Sequence, residues 1–196
     1  MTSTYSQLVK DLRLGKYDGE EPVREMLFRR YGVVTTNVGD KKRAWDLEVV
    51  ALDGKQIGLA DDTYDSDKML AKFIKQFGEL IEVKRDATGD RTGNLYWECW
   101  SNKRVNNPGC MLTCKADTIV FVRKKEFVFL KRSIFLSWIM DNLFNRTELS
   151  DNWRKKTFRG GKKQMMSARN NPDVRGILIP VGDIIDSPAC FHVEPR

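Results

Sequence analysis

The chain has 196 residues, 41% of them hydrophobic and 31% charged, which suffices for one well-cored domain and is too apolar for general disorder. Its formal charge is +7, a balance that favours anionic partners. Four scattered cysteines without C-x-x-C pairs and a single histidine, His192, argue against a disulfide framework and a zinc site.

Glu20-Glu21-Pro22 reads as a helix start, with carboxylates and proline in the first turn; Val23, Met26 and Leu27 follow at helical spacing and Gly32 ends the helix. Trp45 to Ala51 alternates as a strand, Asp53-Gly54 turns it, and Lys55 to Leu59 returns as a hairpin. Ser66 is the expected N-cap of a helix that presents Met69, Leu70, Phe73, Ile74 and Phe77 on one side, with Gly78 closing it.

The run Leu80 to Asp86 is β-prone, and the two-residue period of a strand lets Ile81 and Val83 enter a core while Glu82 and Lys84 meet above it. A polar loop is expected over Asp86–Arg91, a strand over Asn94–Trp100 with Asn94, Tyr96, Glu98 and Trp100 on one side, and a turn at Asn106–Gly109. A hairpin joins Ile119–Val122 to Phe127–Leu130, a helix spans Ser133–Phe144, and Arg175–Val181 is the last strand. No repeats interrupt this order. The pattern predicts a single domain over residues 1–196, of α/β or α+β class, with a central mixed β-sheet flanked by helices.

No apolar run approaches the ~20 residues of a membrane span, and Met1–Lys10 lacks the apolar core of a secretory signal. An intracellular, cytoplasmic protein without a membrane partner is expected. Between Asn145 and Arg175 nine Lys/Arg stand against three acids, a local excess of six positive charges. In that basic segment, expected to be mobile, Arg154, Lys155, Lys156, Arg159, Lys162 and Lys163 are candidates for phosphate contact, with Trp153 and Phe158 interleaved for stacking.

Acid-x-Lys also occurs at Asp40-Lys41-Lys42 and Asp53-Gly54-Lys55, but only Glu82-Val83-Lys84 is held between apolar neighbours on a strand. A carboxylate for a hard cation beside an ammonium for a phosphate is what phosphodiester hydrolysis requires. Asp46 is the favoured second acid, on a strand with Glu48 sharing its face; Asp65, ahead of a helix, is the rival. Glu98 and Glu21 are further carboxylate candidates, each also explicable as a surface ion pair or a helix-terminal charge.

Glu21 in the first helix, Asp46, Glu82-Val83-Lys84 and Thr92-Gly93-Asn94 leading to Glu98 resemble the PD-(D/E)xK nuclease superfamily, of restriction-endonuclease-like fold. Thr92–Glu98, Pro108-Gly109 and Thr113–Asp117 are similar to its phage and bacterial members, and Glu21–Gly32 to the opening helix of archaeal Holliday junction resolvases. The likeness spans Glu20–Leu130, with a weaker echo at Gly176–Pro180. The chain departs from it in having Trp45 where the proline of the motif stands and 35 intervening residues between the two acids.

The resemblance implies a Mg²⁺ (or Mn²⁺) dependent endonuclease acting on DNA, including branched junctions. Asp46, Glu82, the Val83 carbonyl and Glu98 would ligate the metal, Glu21 would assist, and Lys84 would orient water or offset phosphate charge. Lys115 is a further phosphate-contact candidate, and a homodimer would suit double-strand cutting. The alternatives are a catalytically inactive nucleic-acid-binding module of the same fold and an RNA-directed nuclease.

Overall fold

The structure is a computed structural model that describes residues 19–37, 45–53, 65–85, 87–144, 157–158, 161–162, 165–168 and 171–196. It is a mixed α/β arrangement. The chain gathers into two compact units: residues 1–85, 115–129 and 194–196 form the first, and residues 86–114 and 130–193 the second. The expected return strand Lys55–Leu59 lies outside the described residues.

In the first unit helix α1 (Glu21–Tyr31) has proline in its opening turn, and its amide ladder ends at Gly32, whose left-handed φ of 65° aims its N–H at Leu27 and Phe28 carbonyls. It buries Val23, Met26 and Leu27 and packs against strand β1 (Val33–Asn37). That strand was not anticipated: Val33-Val-Thr-Thr-Asn37 is short, and only Val33 and Thr35 are buried.

β1 pairs antiparallel with β2 (Leu47–Leu52); opposite Val34 stands Ala51 and opposite Thr35 stands Val49, so Val50 bulges from the ladder. Helix α2 (Ser66–Phe77) follows. Its cap is Asp65 rather than the expected Ser66, the Asp65 carboxylate accepting the Lys68 N–H at 3.0 Å. Tyr31, Phe73, Phe77 and Phe129 form the aromatic part of the core; Phe73 and Phe77 stack with centroids 4.5 Å apart, and Phe129 meets Phe77 edge-on at 5.5 Å.

Strand β3 (Leu80–Arg85) lies between β2, antiparallel, and β6 (Thr118–Val122), parallel. A parallel neighbour needs a long connection, and residues 86–114 of the second unit supply it in sequence. All five residues of β6 are buried, the continuous apolar run of a strand covered on both faces. With β7 (Glu126–Lys131) and β12 (Cys190–Pro195), which pass along the chain from one unit into the other, the sheet reads β1-β2-β3-β6-β7-β12.

The second unit begins with a short helix α3 (Ala87–Thr92) where a polar loop was expected; its residues carry no apolar period to announce a helix. A second sheet, ordered β10-β11-β4-β5, joins β4 (Asn94–Asn102), β5 (Asn107–Pro108), β10 (Met165–Ala168) and β11 (Asn171–Pro180). Helix α4 (Cys110–Thr113) lies against β4, and a small hairpin pairs β8 (Thr157–Phe158) with β9 (Gly161–Lys162).

The expected helix over Ser133–Phe144 is α5 (Arg132–Ile139) continued by a π turn, Met140–Phe144. Leu95, Trp97 and Cys99 are buried on one side of β4, and Phe135 of α5 meets Trp97 edge-on at 5.2 Å. The chain closes through helix α6 (Val181–Ile185), also unforeseen, to β12. None of the four cysteines is in a disulfide. Among the described residues no helix is long and apolar enough to cross a membrane.

Candidate functional site

The start of β3 is fixed by Asp117. One carboxylate oxygen, Oδ2, accepts the N–H groups of Glu79 and Leu80, both at 3.0 Å, while the Asp117 N–H donates to the Leu80 carbonyl at 2.8 Å. Gly78 allows this approach, because a Cβ there would collide with the Asp117 side chain and its φ of 88° is left-handed. Thr118 Oγ1 also donates to the Phe77 carbonyl. Loop and strand are thereby held in one register, with Glu82 opposite Ile119 and Lys84 opposite Phe121.

From the other side, the Asp46 N–H donates to the Ile81 carbonyl at 3.0 Å, and Asp46 Oδ2 accepts the Val83 N–H at 2.7 Å. Leu47 stands opposite Ile81 on the antiparallel neighbour, so Asp46, one residue earlier, falls opposite Glu82. The two acids separated by 35 residues of sequence thus meet across two adjacent strands. Lys84 Nζ is ion-paired with Glu82 Oε1, joining two side chains of one strand face. The sequence pattern placed Glu82 above the core; the residue is instead 7% exposed, within it.

Burial sets the electrostatics. It pushes the Glu82 carboxyl above the ordinary glutamate value, against the stabilising charge of Lys84 and with the added repulsion of Asp46 and Glu20. Burial likewise raises Asp46, opposed by Lys84 and by the Val83 amide. Two desolvated carboxylates and one ammonium make a compact centre whose negative charge is incompletely matched, a condition found where a site is built for a cation or a proton.

Glu20 is the carboxylate of the first helix that acts on this centre, and sequence reading had chosen its neighbour. Glu21 pairs with Arg24 at 3.0 Å on the helix surface, while Glu20 accepts from Asn37 Nδ2 at the end of β1. An i, i+3 acid–base pair was the available clue that Glu21 is locally engaged. Val83 contributes its amide to Asp46; its carbonyl was the atom singled out by the resemblance. Asp65, the rival second acid, is exposed, caps α2 and pairs with Lys68, and those hydrogen bonds hold its carboxyl below the ordinary aspartate value.

Glu98 belongs to the second unit, on the half-exposed side of β4 with Tyr96 and Trp100, as its alternation implied. Its charge and that of Cys110 reinforce what burial does to Cys99, whose thiol is pushed up to about 12. Lys115 is exposed just ahead of β6. Arg154, Lys155, Lys156, Arg159 and Lys163 lie outside the described residues, and Lys162 is described only as a residue of β9.

Among the described residues no group of three or more His, Cys, Asp or Glu side chains is arranged to hold a metal ion. The donor chemistry of the pair nevertheless suits a small hard cation: Mg²⁺ is bound through one or two carboxylates while keeping several waters. Comparison with family models, curated proteins and solved structures gave no match to this chain.

Proposed function

We propose that the first unit carries a Mg²⁺ (or Mn²⁺) dependent phosphodiesterase centre of PD-(D/E)xK type, on a restriction-endonuclease-like sheet, and that the protein is an endonuclease acting on DNA inside the cell. The observation that carries this reading is the meeting of Asp46 with the Glu82-Val83-Lys84 strand: Asp46 Oδ2 on the Val83 N–H at 2.7 Å, and Lys84 on Glu82. Asp46 stands immediately before β2, the antiparallel neighbour of β3, and Lys84 shares a strand face with Glu82, the juxtaposition that the resemblance calls for.

Asp46 and Glu82 would hold the divalent ion, and Glu20 would add negative charge behind them. The bound ion supplies a water of lowered pKa and a Lewis acid for the phosphoryl oxygens. The chain's own part is positional. The Val83 amide keeps the Asp46 carboxylate turned towards β3. Burial of Glu82 and partial burial of Asp46 take water from two acids that repel one another, an arrangement that would favour a divalent cation. Lys84, on the same strand face as Glu82, would be the cation that meets charge developing on the scissile phosphate. A two-fold dimer would place two such centres on a duplex.

Nicking of supercoiled plasmid tests this. Cleavage is expected with Mg²⁺, none with EDTA, and Glu82→Ala or Lys84→Ala should lower the rate by about 10²–10³ or more while DNA binding persists. Cleavage that survives Glu82→Ala overturns the assignment. A second reading, a nucleic-acid-binding module without catalysis, is favoured by one observation: both acids already have partners within the chain, Lys84 and the Val83 amide. In that case no preparation nicks DNA, whatever the metal.

A further inference from the structure

The carboxyl ends of parallel strands β3 and β6 emerge side by side, Lys84 opposite Phe121 and Arg85 opposite Val122. The next residues are a tight turn, Arg123-Lys124-Lys125-Glu126, closed by the Arg123 N–H donating to the Glu126 carbonyl at 2.9 Å. Arg85 Nη1 donates to the Val122 carbonyl at 3.2 Å, which brings its guanidinium to the base of this turn. Arg196 is tied to the same turn: its N–H donates to the Lys125 carbonyl at 2.9 Å, its Nη1 approaches the Arg123 carbonyl at 3.5 Å, and its guanidinium lies 5.9 Å from the Phe127 ring centroid. Three stretches of chain that are remote in sequence therefore deliver five cationic side chains to one end of the sheet.

Glu126 of the turn is paired with Arg123. Lys124, Lys125 and Arg196 are exposed. The ridge begins at Arg85, the residue after Lys84, at the same end of β3, with strand alternation turning the two side chains to opposite faces. Flexible ammonium groups on a turn suit sequence-independent contact with successive phosphates, which positions a backbone without reading bases.

We propose that the Arg85, Arg123–Lys125 and Arg196 ridge is a docking surface for the phosphate backbone of nucleic acid, which it leads to the Glu82/Lys84 centre. The docking role stands on the charge and geometry of the ridge; only the delivery to Lys84 rests on the hydrolase reading above. Charge alone would also attract anionic lipid, but cations gathered from three stretches of chain at the strand ends suit successive phosphates of a nucleic-acid backbone, so nucleic acid is the partner we assign.

The test is anisotropy of a labelled DNA duplex of about 20 base pairs with the full-length protein in EDTA, titrated over roughly 50–200 mM salt. Lys124→Ala/Lys125→Ala should weaken binding and flatten the slope of log affinity against log salt by about two, and Arg196→Ala by about one. The matching control is Lys72→Ala/Lys75→Ala, which removes the same charge from the exposed face of α2 and should leave the slope unchanged.

Equal slopes for wild type and the turn variant, or equal losses for turn and helix variants, overturn the proposal. So does binding to phosphatidylserine vesicles that the turn variant abolishes while DNA affinity is untouched. The two readings fail separately. A flattened slope with no Glu82-dependent nicking leaves the ridge and removes the hydrolase; Glu82-dependent nicking with an unaltered slope does the reverse.

Discussion

Glu82 in the first unit and Glu98 in the second occupy the same kind of sequence position, a glutamate in the middle of an aromatic or β-branched strand, and they meet opposite fates. Both strands have paired neighbours on either side, but Glu82 is 7% exposed and has Lys84 and Asp46 for company. Glu98 is on a strand whose other side carries the core residues Leu95, Trp97 and Cys99, so its own side is half-exposed. A carboxylate on a half-open face keeps water and costs the fold little; one enclosed in the sheet must be repaid by partners or by function. The pair of residues thus separates ordinary strand alternation from a constructed site.

The sharpest way to break this comparison is to treat both residues alike. Glu82→Gln keeps the shape of the side chain and removes the charge, and should cut Mg²⁺-dependent nicking by about 10²–10³. Glu98→Gln in the same assay should stay within a few-fold of wild type. A loss on Glu98→Gln as large as on Glu82→Gln would mean that the second unit supplies a ligand of the reacting centre.

A smaller effect concerns what holds each strand. The β3 register rests on backbone N–H groups donating to the Asp117 and Asp46 carboxylates, whereas β4 depends on close backbone approach. Gly176 lies opposite Glu98, and a Cβ there would come within 2.5 Å of the Trp97 carbonyl oxygen and 2.5 Å of Tyr96 Cζ. Gly176→Ala should therefore destabilise the protein by about 1–3 kcal/mol, the usual range for overpacking, read as a lowered denaturation midpoint in urea. An unchanged midpoint would show that β11 moves freely away from β4.

Much of the frame was legible in sequence because periodicity is strong where one face is buried. The β3 strand, the β6–β7 hairpin, α2 and the sidedness of β4 all follow from it. Helix α3 escaped because its residues Ala87-Thr-Gly-Asp-Arg-Thr92 have no apolar repeat, and β1 because five residues are too few to set a period. At the site, the Glu82-x-Lys84 spacing was readable since two residues of one strand face must meet. The choice of Glu20 over Glu21 was not, because it depends on where a helix start falls beside Asn37 of β1, a contact 17 residues away. The basic turn is a hairpin connection in the sequence; that Arg85 joins it is a property of the parallel pairing of β3 with β6, and that Arg196 joins it follows from β12 lying beside β7.

The two aspartates that competed for the second acid supply the smallest and most discriminating effect. Asp65 caps a helix in water, and its hydrogen bonds with Lys68 lower its carboxyl below the unfolded value; Asp46 is half-buried, and that partial loss of water raises its carboxyl above it. A lowered group stabilises the fold above its unfolded pKa, and that contribution is lost as pH falls through the folded one. A raised group does the opposite: its ionisation costs stability at neutral pH, and the cost disappears at acid pH. Asp65→Asn should thus lower Tm at pH 7 by an amount that shrinks on acidification. Asp46→Asn, which retains an oxygen for the Val83 N–H, should raise Tm at pH 7 with a gain that also fades towards acid. Melting curves from pH 7 down to the carboxylate range decide it: if both variants shift Tm in one direction at pH 7, Asp46 is another surface-type acid, and the desolvated centre on which the hydrolase proposal depends does not exist.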